Sequence, residues 1–323
     1  MPIFQLPPAV DLNYYRQVYL ELNGFADDVL AEHCRRFAVE QGRSTCFYDR
    51  REFLQVALQK LINDAHLKAL EISPWYNPFL RGNSVKYFGL GDSEALRKSA
   101  AKSGLPVNNV PEKIDFISST GDLGLVNETF DIVFSSHVIE HTPDLVAHLQ
   151  GVSRLLNRGG VYVLIVPDKR YCFDYYHAET TISEVIEAYH FERKIPRLAD
   201  VLNMAFTSTH NGPVVHWLGE HGERWGYSDK PINTDASVEV MGEFFLGKDK
   251  ELSREKLLHL IEKYDESVAN DQYISTHNWR FTPDNFGYIV KMLNALEFID
   301  LSLYRLCHTI WGRVEFVAML EKS

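Results

Sequence analysis

The sequence predicts an α/β, doubly wound fold built on a mostly parallel sheet. Three observations point that way. Between residues 67 and 168, short apolar runs alternate with helical text. The runs are continuously apolar instead of alternating, as strands are when helices cover both faces of a sheet. After the last helix, two apolar strands follow in succession, which fits an antiparallel pair added to an otherwise parallel sheet.

Each element has its own signal. Residues 11–66 read as helical, with apolar residues at helical spacing and breaks at Gly24 and at Gly42-Arg43-Ser44. The strands are LKALEIS (67–73), SVKYFGL (84–90), KIDFISS (113–119), FDIVFSS (130–136) and GVYVLIV (160–166). Between the last two lies PDLVAHLQGVSRLLNRGG, whose Leu145, Val146, Leu149, Val152, Leu155 and Leu156 share a face. Gly159-Gly160 is expected to end that helix. FTPDNFGYIVKMLNAL is a helix with Thr282 as N-cap and Pro283 at its first position. FIDLSLYRLCHTI and RVEFVAML are the closing strands, joined at Trp311-Gly312. The text therefore divides into a helical segment (1–66), an α/β core (67–170 and 275–323) and an insertion (171–274). The insertion is rich in aromatic residues and histidine and would lie over the top of the sheet.

Composition narrows the function classes. A net charge of −11 with a pI near 5.6 makes the average surface repel phosphate backbones, so nucleic acid is a poor partner. Cys34, Cys46, Cys172 and Cys307 lie far apart without a CxxC pair and read as reduced, structural thiols. MPIFQLPPAV lacks the basic and apolar regions of a secretory signal, and no stretch approaches the roughly 20 apolar residues of a membrane span. A cytoplasmic location is expected, and a homodimer is compatible with the text.

The segment FDIVFSSHVIEHTPDLVAHLQGVSRLLNRGGVYVLIVPD (130–168) resembles strand 4, the following helix and strand 5 of class I S-adenosylmethionine-dependent methyltransferases. A narrower resemblance rests on ALEISPWYNPFL, SSHVIEHTPD, VPDKRYCFDYY and THNWRFTPDNF. Together these look like bacterial methyltransferases associated with glycan and polysaccharide biosynthesis. The resemblance implies a Rossmann-like methyltransferase fold with S-adenosyl-L-methionine held at the tips of strands 1 to 4. It places Glu71 at the acidic position ending strand 1 and Ser73 where the usual glycine stands. Pro74 is expected in the close relatives. At the ribose-binding position of strand 2 it finds Gly89, with Asp92 three residues later. Gly121-Asp122-Leu123 matches the adenine turn, and Ser136 and His141 fall on the cofactor side of strand 4. Ser73 and Gly89 depart from the pattern, because a Cβ at Ser73 fills cofactor space or demands another φ/ψ. Read alone, Asp92 is a helix cap.

For a hydroxyl acceptor, methyl transfer needs an aligned nucleophile and a base, and histidine titrates near the working pH. The candidates are His137, His141, His177, His210, His216, His221 and His277. His137 ends strand 4, where ligands collect, and His277 opens the HNWR motif. These two are the expected bases, with Asp168 as the orienting carboxylate. HVIEH also spells H-x-x-E-H of inverted zinc proteases, but a strand runs straight into it. Asp174 and His177, with His137, Asp168 and His277, could hold a hard divalent metal. Nothing in the spacing demands one, so no metal is expected. HNGPVVHWLGEHGERWGY (210–227) suits a sugar-binding lid or one that packs on itself. The expected function is an O-methyltransferase acting on a sugar, nucleotide sugar or glycan end. Two alternatives stand: a non-methylating protein of the glycan pathway with a degenerate cofactor site, and a methyltransferase for a lipid or secondary metabolite.

Overall fold

The computed structural model describes residues 11–38, 40–46, 49–224, 254–270 and 272–323. The N-terminal helical text forms α1 (Leu12–Val18), α2 (Asp27–His33) and α3 (Arg51–Asp64), with Gly24 and Gly42-Arg43-Ser44 in the gaps between them. The core then follows as β1 (Ala69–Ile72), β2 (Val85–Gly89), α4 (Ser93–Lys102), β3 (Phe116–Ile117), β4 (Phe130–Ser136), α5 (Leu145–Leu155) and β5 (Leu156–Pro167). Helices α6 (Ile182–His190), α7 (Leu198–Thr207), α8 (Pro213–Trp217) and α9 (Arg254–Ala269) come next. Helix α10 (Pro283–Ala295) and strands β6 (Leu301–Cys307) and β7 (Glu315–Lys322) close the chain.

The seven strands run in the order β3-β2-β1-β4-β5-β7-β6. Strands β1 to β5 pair in parallel, and β7 enters antiparallel between β5 and β6. The continuous apolar runs meant two covered faces, and alternate residues do go to opposite sides. Leu70, Ile72, Val133, Tyr162, Leu164, Val166, Ala318 and Leu320 pack on one face with α5, α6 and α10. Ala69, Ile132, Phe134, Val161, Val163, Ile165, Val317 and Met319 pack on the other face with Leu54, Leu58 and Ile62 of α3.

One boundary differs from expectation. Helix α5 stops at Leu155, and Gly159-Gly160 lies inside β5. Gly159 takes φ +74°. A Cβ on Gly160 would sit 2.9 Å from the Asn157 carbonyl oxygen and 3.0 Å from that of Asp131. The glycines thus serve a bulge and a close backbone approach, where the pairing register shifts between Phe130 and Ile132. Helix α10 does begin as expected, with Pro283 at its start and Thr282 Oγ1 accepting from the Asn285 N–H.

The segment after β5 does more than cover the sheet: Val185 and Ala188 of α6 belong to the main core. Further along, α7 and α9 share a smaller cluster of Phe173, Val201, Met204, Ala205, Leu260 and Ile274. All four cysteines are buried thiols. No helix among the described residues is long and apolar enough to cross a membrane.

Candidate functional site at the strand tips

The carboxyl ends of β1 to β4 lie side by side because those strands are parallel neighbours. In such sheets ligands bind at that edge. The β1 tip is shaped by Glu71, whose buried carboxylate accepts the backbone N–H of Phe79 and of Leu80, both at 2.8 Å. Glu71 therefore holds the loop after β1. Burial outweighs those two hydrogen bonds and raises its pKa to about 7.

That shift gives a pH-dependent prediction. A native pKa above the ordinary carboxyl value makes the folded state bind the proton more tightly. The contribution is therefore full below pH ~4.5 and is lost as pH rises through about 7. In denaturant unfolding, the stability difference between wild type and Glu71→Gln should move by about 3 kcal/mol across that window, in favour of wild type at the acid end. A flat difference would mean that the carboxyl is not charged and buried near neutrality.

Ser73 takes φ +59° and Trp75 φ +43°. The turn thus has the left-handed backbone a glycine would give it, achieved with ordinary side chains at a cost of about 1 kcal/mol per residue. Ser73 is exposed, so its Cβ does not fill the protein interior. Ser73→Gly should raise the unfolding free energy by up to ~1 kcal/mol, read as a shifted urea midpoint.

At the β2 tip, a Cβ on Gly89 would lie 3.2 Å from the Gly91 carbonyl oxygen, so a larger residue would crowd the turn. Asp92 caps α4 by accepting from Ala95 N–H at 2.8 Å. Asp122 caps the turn Leu123–Leu125 by accepting from Gly124 N–H at 2.7 Å. Each cap uses one carboxylate oxygen on an exposed residue, and Gly121 beside Asp122 has φ +76°. An exposed carboxylate at each of two neighbouring tips and a glycine-like β1 turn fit a nucleoside-bearing cofactor.

Strand β4 ends on Ser136, whose hydroxyl accepts from Arg51 Nη1 at 2.9 Å. His137 follows in the left-handed region at φ +54°, an outlier of the kind that clusters at functional sites. Its Nε2–H donates to Glu315 of β7 at 3.0 Å. Its Nδ1 lies 3.6 Å from Glu140, and the side chain is 37% exposed. Desolvation opposes the charged ring, but the hydrogen bond and charge of Glu315 prevail and raise its pKa. Glu315, despite burial, is brought down to about 2 by His137, with Arg51 and Arg313 assisting.

Residues Ile139–His141 form a single 3-10 turn. Glu140 is fully buried, and both carboxylate oxygens lack a hydrogen-bond partner. The His141 Nδ1–H donates to the Thr276 carbonyl at 3.1 Å. Burial, then the charges of His277 and His137, bring the His141 pKa down to about 3. His277 meets His141 edge-on with ring centroids 4.7 Å apart. The backbone N–H groups of Asn278 and Trp279 donate to the Glu140 carbonyl, and Asn278 Nδ2 donates to that of His141. The HNWR motif is thereby fastened onto the β4 tip.

Asp168 does not orient either histidine. Its buried carboxylate accepts from Arg170 Nε and Nη2 and from the Thr309 hydroxyl at 2.7 Å, and it caps the turn that follows. The strand-tip acid is spent on holding its own loop. The carboxylates that face the two candidate bases are Glu315 for His137 and Asp174 for His277, the latter accepting from Nδ1 at 2.5 Å. His177 also donates to Asp174, at 2.8 Å. His137, His141 and His277 thus gather with Glu140, Asp174 and Glu315.

The described part of the His-rich stretch stacks both within itself and on tyrosines that follow β5. Trp217 stacks on Tyr171 at 3.9 Å, His221 on Tyr175 at 3.6 Å and His210 on His216 at 4.1 Å. Trp225, Gly226 and Tyr227 lie outside the described residues.

Residues 76–164 match the family model described as a methyltransferase domain. The chain carries a methyltransferase domain. The match covers the stretch from the β1 turn into β5, and the family implies S-adenosylmethionine as cofactor. No curated protein sequence matches the chain. Among solved structures it is similar to the CcbJ methyltransferase from Streptomyces caelestis, with 17% identity over 35% of this chain and 52% of that one at a TM-score of 0.25. It is also similar to an S-adenosylmethionine-dependent methyltransferase from Clostridium acetobutylicum, with 11% identity over 52% and 62% of the two chains at 0.27. Magnesium protoporphyrin IX methyltransferase from Synechocystis, with bound SAH, aligns over 96% and 94% of the two chains at 10% identity and 0.34. The chain thus spans about half to two thirds of the first two relatives. At these scores the overlaps carry no functional argument.

Proposed function

We propose that this methyltransferase transfers the methyl group to a hydroxyl of a sugar, nucleotide sugar or glycan end, with His137 as base. The observation that carries the base assignment is the His137–Glu315 hydrogen bond at the β4 tip, made by a residue in the left-handed backbone region. With Nε2–H donating to an ionised carboxylate, Nδ1 keeps its lone pair and can accept the hydroxyl proton. Bound S-adenosylmethionine would supply an electrophilic methyl group on a sulfonium. Asp92 and Asp122 would hold the nucleoside, and Gly121, Leu123, Ser73 and Ser136 would line its path. Glu71 would fix the β1 loop, and His277 and His141 would wall the acceptor side.

The sugar class is supported by the four glycan-associated motifs and by Trp75, which is 38% exposed on the β1 turn and offers a ring face to sugar C–H groups. Calorimetry with S-adenosylmethionine and S-adenosylhomocysteine tests the cofactor, and transfer of a labelled methyl group to a panel of sugar nucleotides, oligosaccharides and lipids tests the acceptor. Micromolar cofactor binding and labelling of a sugar hydroxyl are expected. Labelling confined to lipids would overturn the sugar assignment, and absence of binding at millimolar cofactor would overturn the activity.

A further inference from the structure

We infer that Glu140, His141 and His277 form a binding site for a divalent transition metal of the zinc class. These three side chains can each direct one ligand atom into a space where all three atoms lie within 4.8 Å of one another. The site is empty. Two imidazoles and one carboxylate are a donor set that zinc accepts, with a fourth position left for water or a substrate oxygen.

The ring nitrogens assign themselves. His141 Nδ1–H is committed to the Thr276 carbonyl and His277 Nδ1–H to Asp174. Nε2 of each ring is what remains to face the Glu140 carboxylate, and His141 Nε2 is 3.9 Å from Glu140 Oε1. Metal-bound histidines almost always donate their other N–H to a carboxylate or backbone carbonyl, and one of each is found here. Asp174 is in turn held by His177 Nδ1–H at 2.8 Å. Ligands at about 2.0–2.1 Å from a tetrahedral zinc stand roughly 3.3 Å apart, so the cluster must contract by up to about 1.5 Å to close on an ion.

The second observation is Glu140 itself. Its carboxylate is fully buried, and neither oxygen has a hydrogen-bond donor. A buried, unsatisfied carboxylate is costly, and the rings of His137 and His141 stand 3.6 and 3.9 Å from it. A cation held by the two Nε2 atoms would satisfy it. The H-x-x-E-H letters thus contribute only their Glu-His half, in a 3-10 turn, and the remaining ligand comes from His277. An ion would enter past His141, whose side chain is 21% exposed. The occupied site would lie beside His137 and fix the position of the segment 276–279 on the β4 tip.

Metal binding is read on the full chain without S-adenosylmethionine, so its outcome is separate from that of the methyltransferase assay. The chain is stripped with a chelator and titrated with Zn²⁺ and with Co²⁺. One equivalent of each is expected to bind, with the visible absorption of a low-coordinate Co²⁺–imidazole site and a raised thermal midpoint with Zn²⁺. Glu140→Gln and His277→Gln should abolish the Co²⁺ spectrum, Asp174→Asn should weaken Zn²⁺ binding by about 10–100-fold, and His190→Gln, an exposed histidine elsewhere, should change nothing. If wild type binds neither ion, the inference fails. It also fails if His277→Gln folds and binds as tightly as wild type. Should the variants not fold, the wild-type Co²⁺ spectrum and zinc stoichiometry decide alone.

Discussion

Replacing His137 with alanine should lower methyl-transfer turnover by about 10²- to 10⁴-fold while leaving S-adenosylmethionine binding within a few-fold of wild type. The split follows from where the ring stands. His137 begins the turn after β4 and points its Nε2–H at Glu315, while the exposed carboxylates proposed to hold the nucleoside sit on the tips of β2 and β3. Loss of the ring removes a proton acceptor without touching those groups. Glu315→Gln should act through the ring, lowering kcat with little change in KM, because an amide holds the imidazole in place less firmly than a carboxylate. Imidazole added to the buffer should restore part of the turnover of His137→Ala. Single-turnover kinetics with the labelled cofactor reads both effects, and full turnover by His137→Ala would remove this histidine from the chemistry.

Asp200→Ala should destabilise the fold by about 3–5 kcal/mol. Asp200 is fully buried and holds Arg197 through two hydrogen bonds at 2.9 Å and Arg280 through a third at 2.9 Å. Those guanidinium groups hold the Asp200 carboxyl below its usual range even against burial. Arg280 is itself buried, and its next carboxylate is Asp174 at 4.0 Å. Removing Asp200 leaves a buried cation with poor compensation, and removing one partner of a buried pair costs far more than an exposed pair is worth. The HNWR segment hangs from this network, so the same variant should also loosen His277. Equilibrium urea unfolding measures the loss, and a change under ~1 kcal/mol would show that water replaces Asp200 easily.

The sheet was legible because its strands carry the pattern that burial on both faces enforces. The runs at 130–136 and 160–166 needed only that pattern. Gly159-Gly160 misled because a glycine pair ends helices and also permits bulges. Which use applies depends on a neighbouring strand, here Asp131, that the local text does not display. His137 and His277 stood out as histidines beside strand and helix ends, and their positions together at the β4 tip follow from topology. Their carboxylate partners were hidden for a physical reason. Glu315 lies 178 residues from His137 and Asp174 lies 103 from His277, so no spacing rule connects them. The only local trace of Glu315 was an acid inside the run RVEFVAML. Asp168 had the more conspicuous location and the wrong neighbours, Arg170 and Thr309.

The placement of β7 between β5 and β6 also governs the order in which the molecule can be made. Until residues 315–322 are available, β5 has a free edge with apolar side chains on both faces, the kind of edge that recruits stray strands. Residue 315 opens that late strand and also carries the carboxylate that faces His137. A nascent chain can therefore bring the tips of β1 to β4 together long before Glu315 arrives to meet His137. The interval between those two events is when misassembly is most costly, and the sealing of the sheet coincides with the arrival of Glu315.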